Sequence, residues 1–552
     1  MTTNPPKLSE LTAEYELAPS LLKGDSPGRE WLDIPVVFQD GNWCHAAKPD
    51  VIESLGFNNP RKWSPEDEDW QLEEGWQKIV LDGMKERLGQ FRSFKLFMDI
   101  CVRCGACSDK CHFFLGSGDP KNMPVVRAEL LRSVYRHEFT WSGKLLKGMV
   151  GARPLTEEVL KEWFMYFHQC TECRRCSVFC PFGIDTAEVT LVGRELLNLA
   201  GANINWISKP VSDCTRTGNH LGIEPHTFKS VVESLAEDIE DQTGVTVNPT
   251  FNRKGAEILF ITPSGDIFGD PGIYTMMGYM MLFEHIGLDY TLSTYASEGG
   301  NFGYFTTNQT TKKLNAKMYH EAERLGVKWI LGGECGHMWR VVHQYMDTMN
   351  GPADFMEEPV SPITGTKFRN ATSTKMVHIA EFTADLIHQN KLKLDPRRND
   401  HLKTTFHDSC NIARGMGMLE EPRFVLRNVC NSFNEMPEHT IREETFCCGS
   451  GSGLNTDEYM DIRMRGGFPR ANAVKHVKDK FDVNALVAIC AIDRASLPPL
   501  MKYWNPGVSV YGLHELVGNA LVMEGEDERS EDLREDEMVE FEPDRQVREG
   551  DE

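Results

Sequence analysis

CVRCGACSDKC (Cys101–Cys111) and CTECRRCSVFC (Cys170–Cys180) decide how this chain is read. Both runs space their cysteines C-x2-C-x2-C-x3-C, the spacing of loops that wrap [4Fe–4S] clusters. Three thiolates within seven residues reach three corners of a cubane, and the fourth ligand arrives from elsewhere. In two-cluster proteins the fourth cysteine of each run serves the other cluster. The spacing therefore assigns Cys101, Cys104, Cys107 and Cys180 to one [4Fe–4S] cluster, and Cys170, Cys173, Cys176 and Cys111 to the second. Structural zinc is the competing reading, but zinc favours two separated C-x2–4-C pairs over dense tetrads. Pro181 follows the second run in the usual way, whereas His112 takes that place after the first.

Between the tetrads lie 58 residues. Val125–Tyr135 and Thr156–Phe167 carry apolar residues at helical spacing, and Thr156 has the chemistry of an N-cap. Residues 91–250 thus look like the α-helical ferredoxin domain of respiratory iron–sulfur subunits, a one-electron wire without a catalytic site. Chemistry is expected further on.

After residue 250 short apolar or β-branched runs alternate with helical stretches: Glu257–Thr262, Lys328–Leu331, Lys403–His407 and Leu486–Ile489. Such alternation predicts α/β units over parallel sheets. The half-chain also repeats. TTFHDSC (Thr404–Cys410), FCCGSGSG (Phe446–Gly453) and ALVAICAID (Ala485–Asp493) follow the same order as ILFITPS (Ile258–Ser264), SEGGNFG (Ser297–Gly303) and WILGGECGH (Trp329–His337). Two similar lobes are expected, 251–395 and 396–520. The second keeps Cys410, Cys447, Cys448 and Cys490. The first has Ser264, Ser297–Glu298 and Cys335 at those places, so it is expected to have lost its own cluster.

Cys410…Cys447-Cys448-Gly449…Cys490 resembles the CCG domain of the heterodisulfide reductase family. Tandem lobes behind a two-cluster domain are similar to its HdrD-type catalytic subunits. The degenerate first lobe with GGECGH (Gly332–His337) is most like the DsrK-type subunits of DsrMKJOP complexes in dissimilatory sulfur metabolism. The family motif ends in C-x2-C; here Asp493 replaces the last thiolate. Fold class is therefore α+β multidomain: an α-helical two-cluster ferredoxin domain followed by two α/β CCG-type lobes. The resemblance implies a further [4Fe–4S] cluster, cubane or noncubane, held by Cys410, Cys447, Cys448 and Cys490. It also implies reduction or formation of a disulfide or trisulfide, with a DsrC-like protein as substrate. A DsrM-like membrane subunit carrying haem b would supply electrons from quinol. Cys335 is a candidate fifth ligand or free thiol, and His337 and His407 are candidate proton donors. Gly449 and Gly451 would let backbone N–H groups approach the cluster sulfurs. The reading of another class is an iron–sulfur electron-transfer subunit beside a flavin-dependent glycolate or glycerol-3-phosphate dehydrogenase.

Length and composition fit this frame. The 552 residues predict about three to five domains, and a formal charge of −23 argues against nucleic acid. Sixteen cysteines, with no basic-flanked apolar leader, point to thiols kept reduced in the cytoplasm and used for metal. No run is long and apolar enough to span a bilayer; the resemblance implies a place at the inner face of the membrane, held by partner subunits. Residues 1–90, with Trp31, Trp43, Trp63, Trp70 and Trp76, form an N-terminal extension of unassigned role, and Cys44-His45 is a weak ligand pair. Cys214 and Cys430 read as small buried hydrophobes. The Met276–Phe283 stripe reads as helix core. Glu524–Glu552, with 15 acidic and 4 basic residues, makes 521–552 an acidic tail expected to be disordered.

Overall fold

A computed structural model of the chain describes residues 70–298, 300–368, 374–456 and 459–526. Cys44, His45, Trp31, Trp43, Trp63 and the acidic tail beyond residue 526 lie outside these. Described first is a helical domain: α1 (Trp76–Gln90), α2 (Arg92–Ile100), α3 (Pro124–Phe139), α4 (Glu157–Phe167), α5 (Thr186–Ala200) and α6 (Asn205–Thr217). Thr156 caps α4, accepting from the Val159 N–H, and Asp185 caps α5, accepting from the Ala187 N–H at 3.0 Å. Gly193 on α5 lies so close to Phe167 that a Cβ there would be 2.4 Å from the ring. Helix α1 packs along α5 with Val80 and Met84 buried, so residues 76–90 join this domain instead of forming a separate extension.

Two α/β lobes follow. The first contains α7 (Pro225–Thr243), β1 (Ile258–Ile261), α8 (Gly272–Ile286), β2 (Tyr290–Leu292), α9 (Asn308–Leu325), β3 (Trp329–Gly332), α10 (Gly336–Val341), β4 (Met376–His378) and α11 (Ile379–His388). Its sheet is parallel, in the order β2-β1-β3-β4. Phe228, Val232, Leu235 and Ile239 of α7 enter this lobe's core, so the boundary expected at residue 250 falls before α7. The second lobe contains β5 (Thr404–His407), α12 (Cys410–Met416), α13 (Glu421–Val429), α14 (Phe468–Phe481), β6 (Ala485–Ala488), α15 (Ala491–Trp504), β7 (Ser509–Gly512) and α16 (Leu513–Ala520). Its parallel sheet runs β5-β6-β7. A single parallel bridge from Thr404 to Phe433 marks the edge where the first lobe places β2. Nearly all strand residues are buried on both faces, as parallel sheets require. Strands β2, β4 and β7 have no counterpart in the sequence reading; each has only three or four residues.

The repeat is spatial as well as sequential. Helix α8, after β1, packs on α16, after β7; helix α11, after β4, packs on α13, after β5. The same joint is thus made twice with the lobes exchanged. At the first, Gly278 approaches the chain so closely that a Cβ would sit 1.9 Å from the His514 carbonyl oxygen. Met276, Met277, Met280 and Met281 are fully or almost fully buried, so the methionine stripe is core, as expected. Between the lobes Arg494 pairs with Asp266 and Glu334, and His514 Nδ1 lies 2.6 Å from Glu334 Oε1. All four groups are buried.

Candidate functional site

Cys101, Cys104, Cys107 and Cys180 border one small cavity, together with Pro124, Ala128 and Ile184. Burial pushes the Cys107 thiol up to about 12, with Cys180 and Cys101 beside it adding to the rise. Cys104 is exposed. A second group forms at Arg127, whose guanidinium lies beside the thiols of Cys170, Cys111 and Cys176. Cys180 thus lies with the first run and Cys111 with the second. The two loops share one backbone trace. Arg103 and Glu172, each two residues past the first cysteine, take φ of 57° and 56°; Gly105 and Arg174, each just past the second, take 79° and 64°. Three of these four are not glycine, so the left-handed conformation is imposed by what the loop must do. Left-handed residues at alternate positions are a backbone feature of nests that bind anions and iron–sulfur clusters.

Cys173, assigned by spacing to the second group, reaches further. Its thiol lies against Cys447 as well as near Cys176. Cys410 opens α12 three residues past β5, and Cys490 is the N-cap of α15 just past β6. Cys447 and Cys448 lie on the loop before the Gly-rich turn. Burial alone would raise the Cys447 thiol; Cys173, Cys410 and Cys448 as hydrogen-bond partners, with His112 nearby, pull it well below the ordinary range. Cys447 Sγ lies 3.2 Å from Thr171 Oγ1, and the Gly449 N–H reaches Cys447 Sγ at 3.4 Å. Thr171 Oγ1 is also 2.8 Å from His112 Nε2. The C-x2-C loop of the second tetrad thus rests directly on the CCG cysteine pair. Asp493 bonds to Cys448 and lies 3.4 Å from His407 Nε2.

The first lobe closes over this group. Gly336 N–H donates to Cys490 Sγ at 3.2 Å, and Ala491 N–H donates to the Glu334 carbonyl oxygen at 2.9 Å. A Cβ on Gly336 would meet Ser409 Oγ at 2.6 Å. Burial, and next Cys490, push the Cys335 thiol well up. His337 Nε2 lies 3.4 Å from Ser452 Oγ; burial and then Arg340 lower its ring to about 4, so it is neutral near pH 7. Gly451 leaves His337 its room, since a Cβ there would be 2.9 Å from Cε1. His407 is buried, with its Nε2 facing the Asp493 carboxylate.

At the places where the first lobe lacks cysteine, the side chains bond to one another. Ser264 Oγ donates to Glu298 Oε1 and lies 2.7 Å from His220 Nδ1, which is itself 2.6 Å from Glu298 Oε1. These are oxygen and nitrogen donors already satisfied by each other, and they do not suit a sulfide cluster.

Two family models match: "4Fe-4S dicluster domain" over residues 97–184 and "Cysteine-rich domain", the CCG family, over 404–492. The chain is 49% identical over 522 residues to "Hdr-like menaquinol oxidoreductase iron-sulfur subunit 2" of Archaeoglobus fulgidus, covering 91% of this chain and 94% of that one. It is 48% identical to the corresponding subunit of Archaeoglobus profundus, over 92% of this chain and 95% of the relative. The chain belongs to the Hdr-like menaquinol oxidoreductase iron–sulfur subunit family. A more distant relative of these Hdr-like subunits is one of the subunits of the dihydromethanophenazine:CoB–CoM heterodisulfide reductase of Methanosarcina barkeri, 23% identical over 77% of this chain and 94% of that one. No solved structure gives a significant match.

As an Hdr-like subunit the chain carries ferredoxin-type [4Fe–4S] clusters and a further cluster in its CCG region. Its residues fit such groups on two counts besides the thiols. The first is the pair of backbone nests. The second is charge: Arg127 and Arg470 are buried and Arg414 half-buried near the cysteines, and among the described residues no carboxylate stands in ion-pair distance of them. Arg127 donates to the carbonyls of Asn122, Tyr166 and Gln169, Arg414 to Cys173, Glu443 and Thr445, and Arg470 to Thr440 and Phe446. Burial lowers Arg470 to about 10. Buried cations without a counter-charge are costly, and anionic clusters supply one. Among the described residues no three His, Cys, Asp or Glu side chains converge on a point suited to a single metal ion; at the first tetrad four thiols surround a hollow instead. Thr171 and the three arginines were not singled out from sequence, because they stand between or beyond the spaced cysteines that carry the motifs. His112 carried one signal, its place where the motif usually has proline.

Proposed function

We propose that the chain takes electrons from a quinol-oxidising membrane subunit, passes them through two [4Fe–4S] clusters, and delivers them to a centre held by Cys410, Cys447, Cys448 and Cys490. There a sulfur–sulfur bond is reduced or, in reverse, formed. The clusters, when bound, supply one-electron steps. Cleaving a disulfide consumes two electrons and two protons and gives two thiols; a trisulfide consumes four of each and gives two thiols and hydrogen sulfide. The observation that carries this reading is the contact of the second tetrad's loop with the CCG pair, Thr171 Oγ1 to Cys447 Sγ at 3.2 Å, which leaves no gap for a separate carrier.

Around the proposed centre the chain's own residues exclude water, since all four cysteines are at most 8% exposed. Gly449 and Gly336 donate backbone N–H groups to sulfur, which favours the reduced state. Cys335 stands across from Cys490 as a candidate thiol or ligand. His337, neutral and next to Ser452, and His407, facing Asp493, are candidate proton carriers. A groove of about 700 Å³ lined by Asn455, Arg463 and Lys502 adjoins the Gly-rich turn, where Arg463 Nε donates to Ser450 Oγ; it is the approach we assign to a protein substrate. By likeness to DsrK-type subunits that substrate is a DsrC-like trisulfide and the electron donor a DsrM-like haem-b subunit; the Archaeoglobus relatives' name points to menaquinol as the reductant. Replacing Cys447 with Ala tests the reading. Disulfide or trisulfide reduction is abolished while the EPR signals of two cubanes persist; retained turnover overturns it.

A further inference from the structure

The most exposed large apolar side chains include a group within one short segment of the helical domain. Trp141 is 78% exposed, Leu145 62% and Met149 88%, with Leu146 at 40% beside them; Val102 at 61% and Phe182 at 40% border the cavity of Cys101, Cys104, Cys107 and Cys180. The exposure is built in. Thr140 caps the short helix Trp141–Leu146, accepting from the Gly143 N–H at 3.0 Å, and a Cβ on Gly143 would lie 1.9 Å from the Arg136 carbonyl oxygen. The segment is therefore clamped to α3 with its apolar side chains turned outward. Glu129 joins it to the cluster loop: Arg103 and Arg136 both bond to that carboxylate, and Arg136 also donates to the Gly151 carbonyl oxygen at 2.8 Å. Lys144 and Lys147 are exposed within the same segment, and among the described residues neither forms an ion pair, in a chain of net charge −23.

We propose that Trp141–Val150 docks on an anionic lipid bilayer, Trp141, Leu145 and Met149 entering the headgroup boundary while Lys144 and Lys147 meet lipid phosphates. Apolar and tryptophan side chains interleaved with unpaired lysines are the composition of interfacial anchors, and lysines at an anionic surface add attraction that salt screens. Among the described residues no helix is long and apolar enough to cross a membrane, which an interfacial contact does not require. Docked this way, the segment that meets the bilayer is tied through Glu129 to the loop of the first tetrad. The inference rests on this surface alone and stands apart from the sulfur chemistry.

The test uses the full cluster-loaded chain in sedimentation with vesicles of phosphatidylcholine, or of phosphatidylglycerol and phosphatidylcholine in equal parts. The chain is expected to sediment with the mixed vesicles and much less with the neutral ones. Trp141→Ser with Leu145→Ser and Met149→Ser, and separately Lys144→Glu with Lys147→Glu, should each weaken binding at least about tenfold. Iron content should stay at the wild-type level in both, showing that the fold is kept. No binding to either vesicle, or equal binding by the variants, overturns the proposal. Unchanged vesicle binding with loss of a co-purifying membrane subunit overturns it in favour of a protein interface.

Discussion

In the second lobe the ends of β5 and β6 present Cys410 and Cys490; in the first, the matching ends of β1 and β3 present Ser264 and Cys335. The surrounding frame is the same. Both sheets are parallel, both lobes make the same helix joint, and both last strands lead into a helix whose N-cap N–H donates to a glutamate three residues on, Glu381 from His378 and Glu515 from Gly512. What differs is how the buried polar loop ends are satisfied. One lobe gathers thiols beside buried arginines, and the other knits Ser264, Glu298 and His220 into hydrogen bonds. Buried polar groups must find partners, and either solution meets that demand. The lobe without thiols is freed to serve its neighbour, lending the Gly336 N–H to Cys490 and placing Cys335 and His337 over the CCG cysteines.

The largest effect comes from carrying the first lobe's residue into the second. Cys410→Ser should lower iron from about 12 to about 8 atoms per chain and abolish sulfur turnover, read by iron analysis and disulfide assay; full iron would mean that Cys410 holds no cluster. Next is the ion network that locks the lobes. Burial raises Asp266 to about 6 even with Arg494 beside it, so removing the cation leaves Asp266 without a counter-charge and Glu334 with His514 alone. Arg494→Met should cost about 3–5 kcal/mol, measured as a shift of the denaturant midpoint, and a cost below about 1 kcal/mol would show that the lobes are held by apolar packing alone.

Much of this comparison was legible in sequence because it rests on residues that change chemistry at fixed spacing. The tetrads, the four CCG-lobe cysteines, and the pairing of Ser264 with Cys410 and Cys335 with Cys490 all follow from cysteine counting and strand ends. Strands β1, β3, β5 and β6 were readable as buried apolar or β-branched runs. Strands β2, β4 and β7 were not; they lie at the sheet edges, where pairing with a central neighbour fixes them. The contact of Thr171 with Cys447 and the reach of Cys173 toward the CCG pair were also hidden. They depend on how the helical domain docks on the second lobe, and no spacing within either segment records that.

A smaller effect tests the hydrogen-bonded substitute in the first lobe. Glu298→Gln loses the charge that His220 and Ser264 face and should cost about 1–3 kcal/mol. Iron per chain and turnover should stay unchanged. Loss of iron would show instead that the first lobe does hold metal and that the two lobes are more alike than their donors suggest.

The smallest expected effect lies at the matching helix starts, where the first lobe has His378 and the second Gly512. His378 Nδ1 accepts from the Ala380 N–H at 3.0 Å, and burial lowers the ring from 6.5 to about 3. Above pH 6.5 the ring is neutral both folded and unfolded, so it makes no difference. Below that the unfolded chain takes a proton that the folded one refuses, and stability is lost as pH falls from 6.5 toward 3. The loss amounts to about 1 kcal/mol between pH 6.5 and 5.5. His378→Asn keeps an acceptor for Ala380 but titrates nowhere in this range. It should therefore flatten the fall in urea midpoint over that unit by the same amount. An unchanged slope would place the acid sensitivity elsewhere and remove this distinction between the lobes.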